Sequence, residues 1–249
     1  AAGAAEVIRQ KTGMNLSPYF PASKIAWLLE NEEGAKEAAE RHEICHGTID
    51  SWLVFKLTEG KEYRTDYSNA SRTQLFNIFD LKWDAEICKL FGIDPANMAE
   101  VTDSDACFGE TDFEGLLPHK IPIHGVLGDS HGSLFGQGCL QPGMIKSTYG
   151  TGSSIMMNIG EKPILSTHGV VTSLAWKIGG KVNYVLEGNL NYTGAVITWL
   201  KDDLQIIASP GETGPLAKAA IQEDSLYLVP AFSGLGAPYW DSEARASVV

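Results

Sequence analysis

Between Met144 and Glu187 four strand-length runs follow one another closely: Met144 to Tyr149, Ser154 to Asn158, Val170 to Trp176 and Val182 to Glu187. Turn residues separate them, and the stretch Lys177-Ile178-Gly179-Gly180 suits a hairpin because paired glycines accept positive φ. Helical patterns follow over about Gly194 to Asp202 and Gly214 to Ala220, and Leu226 to Pro230 reads as a buried strand. Strands succeeded by helices on this scale indicate a layered α/β domain.

The first half is organised differently. From Ala22 to Arg41 the residues Ile25, Leu28, Leu29, Ala35, Ala38 and Ala39 recur at helical intervals, with Gly34 as a break, so two consecutive helices are expected. Thr48 to Lys56 is apolar and short enough to be strand or helix, and Asp66 to Asn77 carries polar loop chemistry before a short apolar run. Ile121 to Leu127 reads as a buried strand that ends at Gly128-Asp129. Ser133 to Cys139 and the turn Gln141-Pro142-Gly143 then mark a change of organisation without a flexible linker.

Composition narrows the function classes. With 249 residues, 44% of them hydrophobic, the chain can bury one large core or two modest ones. A net charge of -12 disfavours a nucleic-acid or anionic-membrane surface, so a bound phosphate must be held by backbone N–H groups, isolated cations or a metal ion. Cys45, Cys88, Cys107 and Cys139 form no CxxC pair, which fits a reducing cytoplasm. No apolar run reaches membrane-spanning length.

Three constellations can carry chemistry. Asp129, after the expected strand, can accept a hydroxyl proton as general base, or it can simply cap the next helix. The segment Ser147 to Ser154 (STYGTGSS) is rich in glycine and hydroxyls, which lets backbone approach a phosphate, although a plain hairpin turn has the same look. It is neither a Walker A loop nor GxGxxG. Phe232 to Asp241 (FSGLGAPYWD) describes a rigid loop that is structural or borders a ligand.

Taken together and in order, TDYSNASRT (Thr65 to Thr73), GDSHGSLFGQ (Gly128 to Gln137), TYGTG (Thr148 to Gly152), NYVLEG (Asn183 to Gly188) and VPAFSGLGAPYWD (Val229 to Asp241) closely resemble segments of the FGGY carbohydrate kinases, in particular their glycerol-phosphorylating branch. Pro18-Tyr19-Phe20, Lys24 and Trp27 resemble its substrate-side segment, and the similarity covers essentially the whole chain.

The resemblance implies an α/β, actin and Hsp70-like (ribonuclease H-like) two-domain kinase fold, with residues 1–138 as the later part of the N-terminal domain and 139–249 as the early part of the C-terminal one. It implies ATP-dependent phosphorylation of a small polyol, glycerol first and a ketopentose such as xylulose second, with Mg2+ on the phosphates, in a cytoplasmic enzyme that is homo-oligomeric at full length. It carries Asp129 over as the catalytic base, and Tyr19, Asp129, Ser130 and Ser154 as substrate-side residues. Gly150, Thr151, Gly152, Gly194 and Thr198 become the nucleotide-side residues, and no residue is assigned to a metal.

Departures from the family pattern are local. Ser130 and His131 stand where two glutamines are usual, and Ser154 stands where the glycerol branch places phenylalanine, which makes the pocket wider and more polar. Glu114 to Lys120 replaces a Gly-rich, Arg-containing regulatory loop. The family's opening Asp-x-Gly-Thr-Thr-Ser loop, its Arg-Glu pair and its adenine-binding region do not occur between Ala1 and Val249. A fold truncated at both ends is therefore expected, with an inactive binding or structural fragment as the rival reading.

Among the remaining residues, His131 is expected to be satisfied by local hydrogen bonds and Arg72 to secure a loop by hydrogen bonding to carbonyls or a carboxylate. Glu187 is expected to be structural as readily as nucleotide-orienting. Trp27, Trp52, Trp176, Trp199 and Trp240 read as core or interface residues in place of a stacking platform.

Overall fold

The computed structural model describes residues 2–220 and 225–249. They form two compact units, the first made of Ala1–Ile145, Met157–Ser166 and Val171–Leu186 and the second of Lys146–Met156, Thr167–Val170 and Glu187–Val249. No helix among the described residues is long and apolar enough to cross a membrane.

The first unit opens with α1 (Ala2–Thr12) and the expected helix pair α2 (Pro21–Asn31) and α3 (Ala35–Glu40). Pro21 begins α2 with its φ preset, and Ala22, Ile25 and Leu29 form its buried stripe. Gly34 takes φ 74°, the left-handed conformation that separates the two helices. The ambiguous run after Thr48 is a helix, α4 (Ile49–Leu57).

Next come β1 (Arg64–Asp66), α5 (Tyr67–Ala70), the antiparallel pair β2 (Phe76–Asn77) and β3 (Lys82–Trp83), α6 (Ala85–Leu90) and β4 (Glu100–Thr102). β1 and β4 pair in parallel, with Asp66 opposite Thr102. One core joins Ile8, Ala22, Ile25, Leu75 and Ile87. A second joins Tyr67, Phe76, Ile78, Leu174 and Tyr184, and burying such side chains contributes about 1.5 to 3 kcal/mol each.

β5 (Cys107–Thr111) pairs antiparallel with β6 (Ile121–His124), which corrects the expectation of a buried strand over Ile121 to Leu127. β6 is mostly exposed and stops before Gly125, whose φ of 99° breaks the extended run. Its apolar residues belong to a surface hairpin, so the residues that precede α7 (Asp129–Gly136) are irregular.

β7 (Ile145–Tyr149), β8 (Ser153–Gly160), β9 (Val171–Ile178) and β10 (Lys181–Leu190) form a four-stranded sheet in the order β7-β8-β10-β9. Gly179 and Gly180 connect β9 to β10 with φ of 56° and 76°, as a tight hairpin turn demands. The second unit continues into α8 (Gly194–Thr198), which does not extend as a regular helix to Asp202 but widens into a π turn at Trp199–Asp203. α9 (Thr213–Ala219) and the antiparallel pair β11 (Leu228–Val229) and β12 (Ser247–Val248) complete it. The expected buried strand from Leu226 is only this short pair, and Leu226 and Tyr227 are exposed because they lie outside it.

The tryptophans divide. Trp176 is buried and packs edge-on against Phe135 at 5.4 Å, whereas Trp27 and Trp52 are exposed on α2 and α4. Neither of the latter two is a core residue of this chain, since α2 and α4 bury other positions, Ile25 and Val54 among them.

Candidate active site

In the first unit Asp129 is the first residue of α7, and Gly128 occupies the cap position. The capping alternative therefore fails in its usual form: the Asp129 Oδ1 accepts the adjacent Ser130 N–H at 2.6 Å, and the carboxylate is exposed. Ser130 is half-buried beside it. His131 is buried one position further along, with Nε2 3.4 Å from the Ser173 hydroxyl, which makes it part of the packing that seats α7.

Tyr19 sits in the turn before α2 with its ring exposed and edge-on to Phe20 at 5.2 Å. Lys24 donates to the Tyr19 carbonyl at 2.9 Å, and the Arg72 guanidinium lies 5.2 Å over the Phe20 ring, so Arg72 does secure this turn, through an aromatic face.

The second unit holds the residues expected on the nucleotide side. Gly150 N–H donates to the Gly152 carbonyl at 2.9 Å and closes a tight turn between β7 and β8. The start of α8 is stitched onto that turn: Thr193 N–H and Ala195 N–H donate to the Thr151 carbonyl at 3.0 and 3.1 Å, and Gly194 N–H donates to the Gly150 carbonyl at 2.9 Å. A Cβ on Gly152 would lie 2.6 Å from the Leu190 carbonyl oxygen, and one on Gly194 would lie 2.5 Å from that of Gly150. These two glycines are dictated by the chain's own close packing. Gly150 is different, because a Cβ there would meet only ordinary contact, the Gly152 carbonyl at 3.6 Å. Its missing side chain leaves open space over an exposed turn, which suits an approaching phosphate. Thr198 ends α8, exposed, with its hydroxyl 3.4 Å from the Gly194 carbonyl.

Ser154 and Glu187 are tied together with Lys146, which sequence reasoning did not single out. Lys146 is 1% exposed and donates to the Thr148 hydroxyl at 2.9 Å and to the Ser154 hydroxyl at 3.3 Å. Ser154 in turn donates to Glu187 Oε1 at 2.9 Å, and Glu187 is 3% exposed. A buried ammonium and a buried carboxylate thus share one hydroxyl, which offsets the cost of desolvating them. The lone lysine in a hydroxyl-rich strand was the only available signal. Phe232 of the Gly-rich loop packs against Tyr192 and Trp199, both at 5.1 Å, and Tyr192 donates to the Ser233 hydroxyl at 2.8 Å.

Residues 1–136 match the N-terminal domain of the FGGY family of carbohydrate kinases, and residues 145–249 match its C-terminal domain. The chain belongs to the FGGY carbohydrate kinases. This FGGY chain is 52% identical over 242 residues to glycerol kinase 1 of Thermotoga maritima, covering 97% of the chain and 49% of that protein. It is 50% identical over 249 residues to the glycerol kinase of Carboxydothermus hydrogenoformans, covering 100% of the chain and 50% of that protein. Among solved structures it superimposes with TM-score 0.86 on the Plasmodium falciparum glycerol kinase with ADP, at 36% identity, over 98% of the chain and 49% of that protein. The gluconate kinase of Lactobacillus acidophilus matches with TM-score 0.83 at 24% identity, over 100% of the chain and 50% of that protein, and supports the actin and Hsp70-like FGGY fold alone. The FGGY chain spans about half the length of the curated relatives it matches.

Proposed function

We propose that the protein containing this chain transfers the γ-phosphoryl group of ATP to a hydroxyl of glycerol in the cytoplasm, and that Asp129 is the proton acceptor. The observation that carries this reading is the exposed Asp129 carboxylate on the first turn of α7, within a segment matching the FGGY N-terminal domain. Asp129 would accept the proton of the attacking hydroxyl as its oxygen bonds to the γ-phosphorus and the bond to ADP breaks. Tyr19 and Ser130 would line the polyol side. The turn at Gly150, Thr151 and Gly152, with Gly194 and Thr198 beside it, would lie against the nucleotide phosphates, the open space over Gly150 letting them approach the backbone.

Among the described residues no three His, Cys, Asp or Glu side chains come together as a metal site. Mg2+ would instead be held largely by the nucleotide phosphates, whose charge it neutralises in phosphoryl transfer.

A ketopentose is the second reading, favoured by the hydroxyl of Ser154 and the charged pair behind it, where the glycerol branch is expected to present an aromatic wall. The deciding experiment measures ADP release by the full-length protein with glycerol and with xylulose. Higher catalytic efficiency on glycerol is expected. Higher efficiency on xylulose selects the second reading, and turnover on neither rejects both.

A further inference from the structure

Asp66 is fully buried at the end of β1, and five donors converge on its carboxylate: Ser68 N–H and hydroxyl, Asn69 N–H and side-chain amide, and the Ser104 hydroxyl, at 2.7 to 3.0 Å. Capping α5 needs only one or two of these. The Ser68 hydroxyl, with its proton directed to Asp66 Oδ1, accepts the Gly128 N–H at 2.9 Å. Gly128 immediately precedes Asp129, at the end of the irregular segment between β6 and α7. Burial pushes the Asp66 carboxyl above the ordinary aspartate range, opposed by its donors, the Asn69 N–H first.

We propose that Ser68, oriented by Asp66, is a positioning residue for the Asp129 carboxylate, because its hydroxyl fixes the peptide on which α7 and its first side chain are hung. This rests on the reading of Asp129 as proton acceptor. The segment before α7 has no strand ladder; Val126 N–H donates to the Ser104 carbonyl at 3.1 Å, and the Ser68 bond holds the peptide two residues nearer the helix, so its loss lets the first turn of α7 shift. A displacement near 1 Å at a reacting group costs about a hundredfold in rate.

Ser71 provides a matched control. It too is fully buried, follows α5 directly, accepts one distant N–H, that of Leu174 at 3.1 Å, and donates to the Ser68 carbonyl at 2.9 Å. In the full-length protein, Ser68→Ala is expected to lower kcat by about ten- to a hundredfold with the KM for ATP changed by no more than about twofold. Ser71→Ala is expected to lower the melting temperature comparably while kcat stays within about threefold of wild type. Gly128→Ala tests the same contact from the other side if Ser68→Ala does not fold. Its φ of -57° suits alanine, but the new Cβ would lie 2.9 Å from His131 Nδ1, pushing the peptide off Ser68 while leaving the Asp66 cluster whole. It too is expected to lose kcat.

The positioning role is overturned if whichever of Ser68→Ala and Gly128→Ala folds keeps kcat within about threefold, or if Ser71→Ala loses as much. An Asp129→Asn protein as active as wild type gives a different result: it removes the proton-acceptor reading itself, and the positioning role with it.

Discussion

Gly194 donates its N–H to the Gly150 carbonyl at 2.9 Å, and any side chain on Gly194 would collide with that same oxygen. The turn between β7 and β8 and the start of α8 are therefore one backbone object, and its glycines divide into those the fold requires and the one it does not.

Gly194→Ala and Gly152→Ala must move backbone, so each is expected to lower the melting temperature of the full-length protein by several degrees, about 2 to 4 °C for each kcal/mol lost. Gly150→Ala is expected to melt like wild type but to raise the KM for ATP, since its Cβ occupies the open side of the turn. Thermal melts beside ATP titrations check this, and an unchanged ATP KM in Gly150→Ala would show that the turn is only a hairpin.

Asp129→Asn keeps size and removes the proton acceptor. Turnover should fall about 100- to 10,000-fold with nucleotide affinity preserved. Steady-state kinetics and calorimetric ATP binding separate the two effects, and weaker ATP binding without loss of turnover would contradict the assignment.

Ser154→Ala removes the hydroxyl shared by Lys146 and Glu187, and about 1 to 3 kcal/mol of stability should go with it. Ser154→Phe suffers the same loss. It should also raise the efficiency ratio of glycerol over xylulose, by no more than about 10- to 200-fold. Urea unfolding and paired kcat/KM values test both, and a flat ratio would place Ser154 away from the polyol.

Asp84 sets an acid limit. Burial would raise its carboxyl, but hydrogen bonds from the Asn77 amide and the Ile87 N–H, with Lys11 at 3.1 Å, hold it below the ordinary range. A depressed value means the stabilisation is present above about pH 4, the usual aspartate value, and is lost as pH falls through the lower folded value. Urea midpoints of wild type should therefore drop more steeply below about pH 4 than those of Asp84→Asn. Parallel profiles would exclude Asp84 as a contributor.

Much of this was legible in the sequence where the signal is local. Gly34 marked the break between two helices and the pair Gly179-Gly180 a hairpin, and the ordered motifs pointed to the family. Ile121 to Leu127 misled because an exposed hairpin strand can be as apolar as a buried one. The Asp66 cluster was illegible for another reason: residues 66, 68, 104 and 128 are brought together only by the fold, and none is unusual alone. Lys146 was missed because a lysine in a strand gives no sign of which way it faces.

The first unit needs β9 and β10 to finish its core: Leu174 N–H reaches Ser71, and the Tyr184 hydroxyl donates to the Ile78 carbonyl at 2.8 Å. On the ribosome, Ser71 and Ile78 must then wait, incompletely packed, for roughly a hundred later positions to emerge. Loop closure on that scale is slow and leaves apolar surface uncovered meanwhile. Nascent chains halted before residue 171 should engage chaperones, and those released past residue 186 should let go.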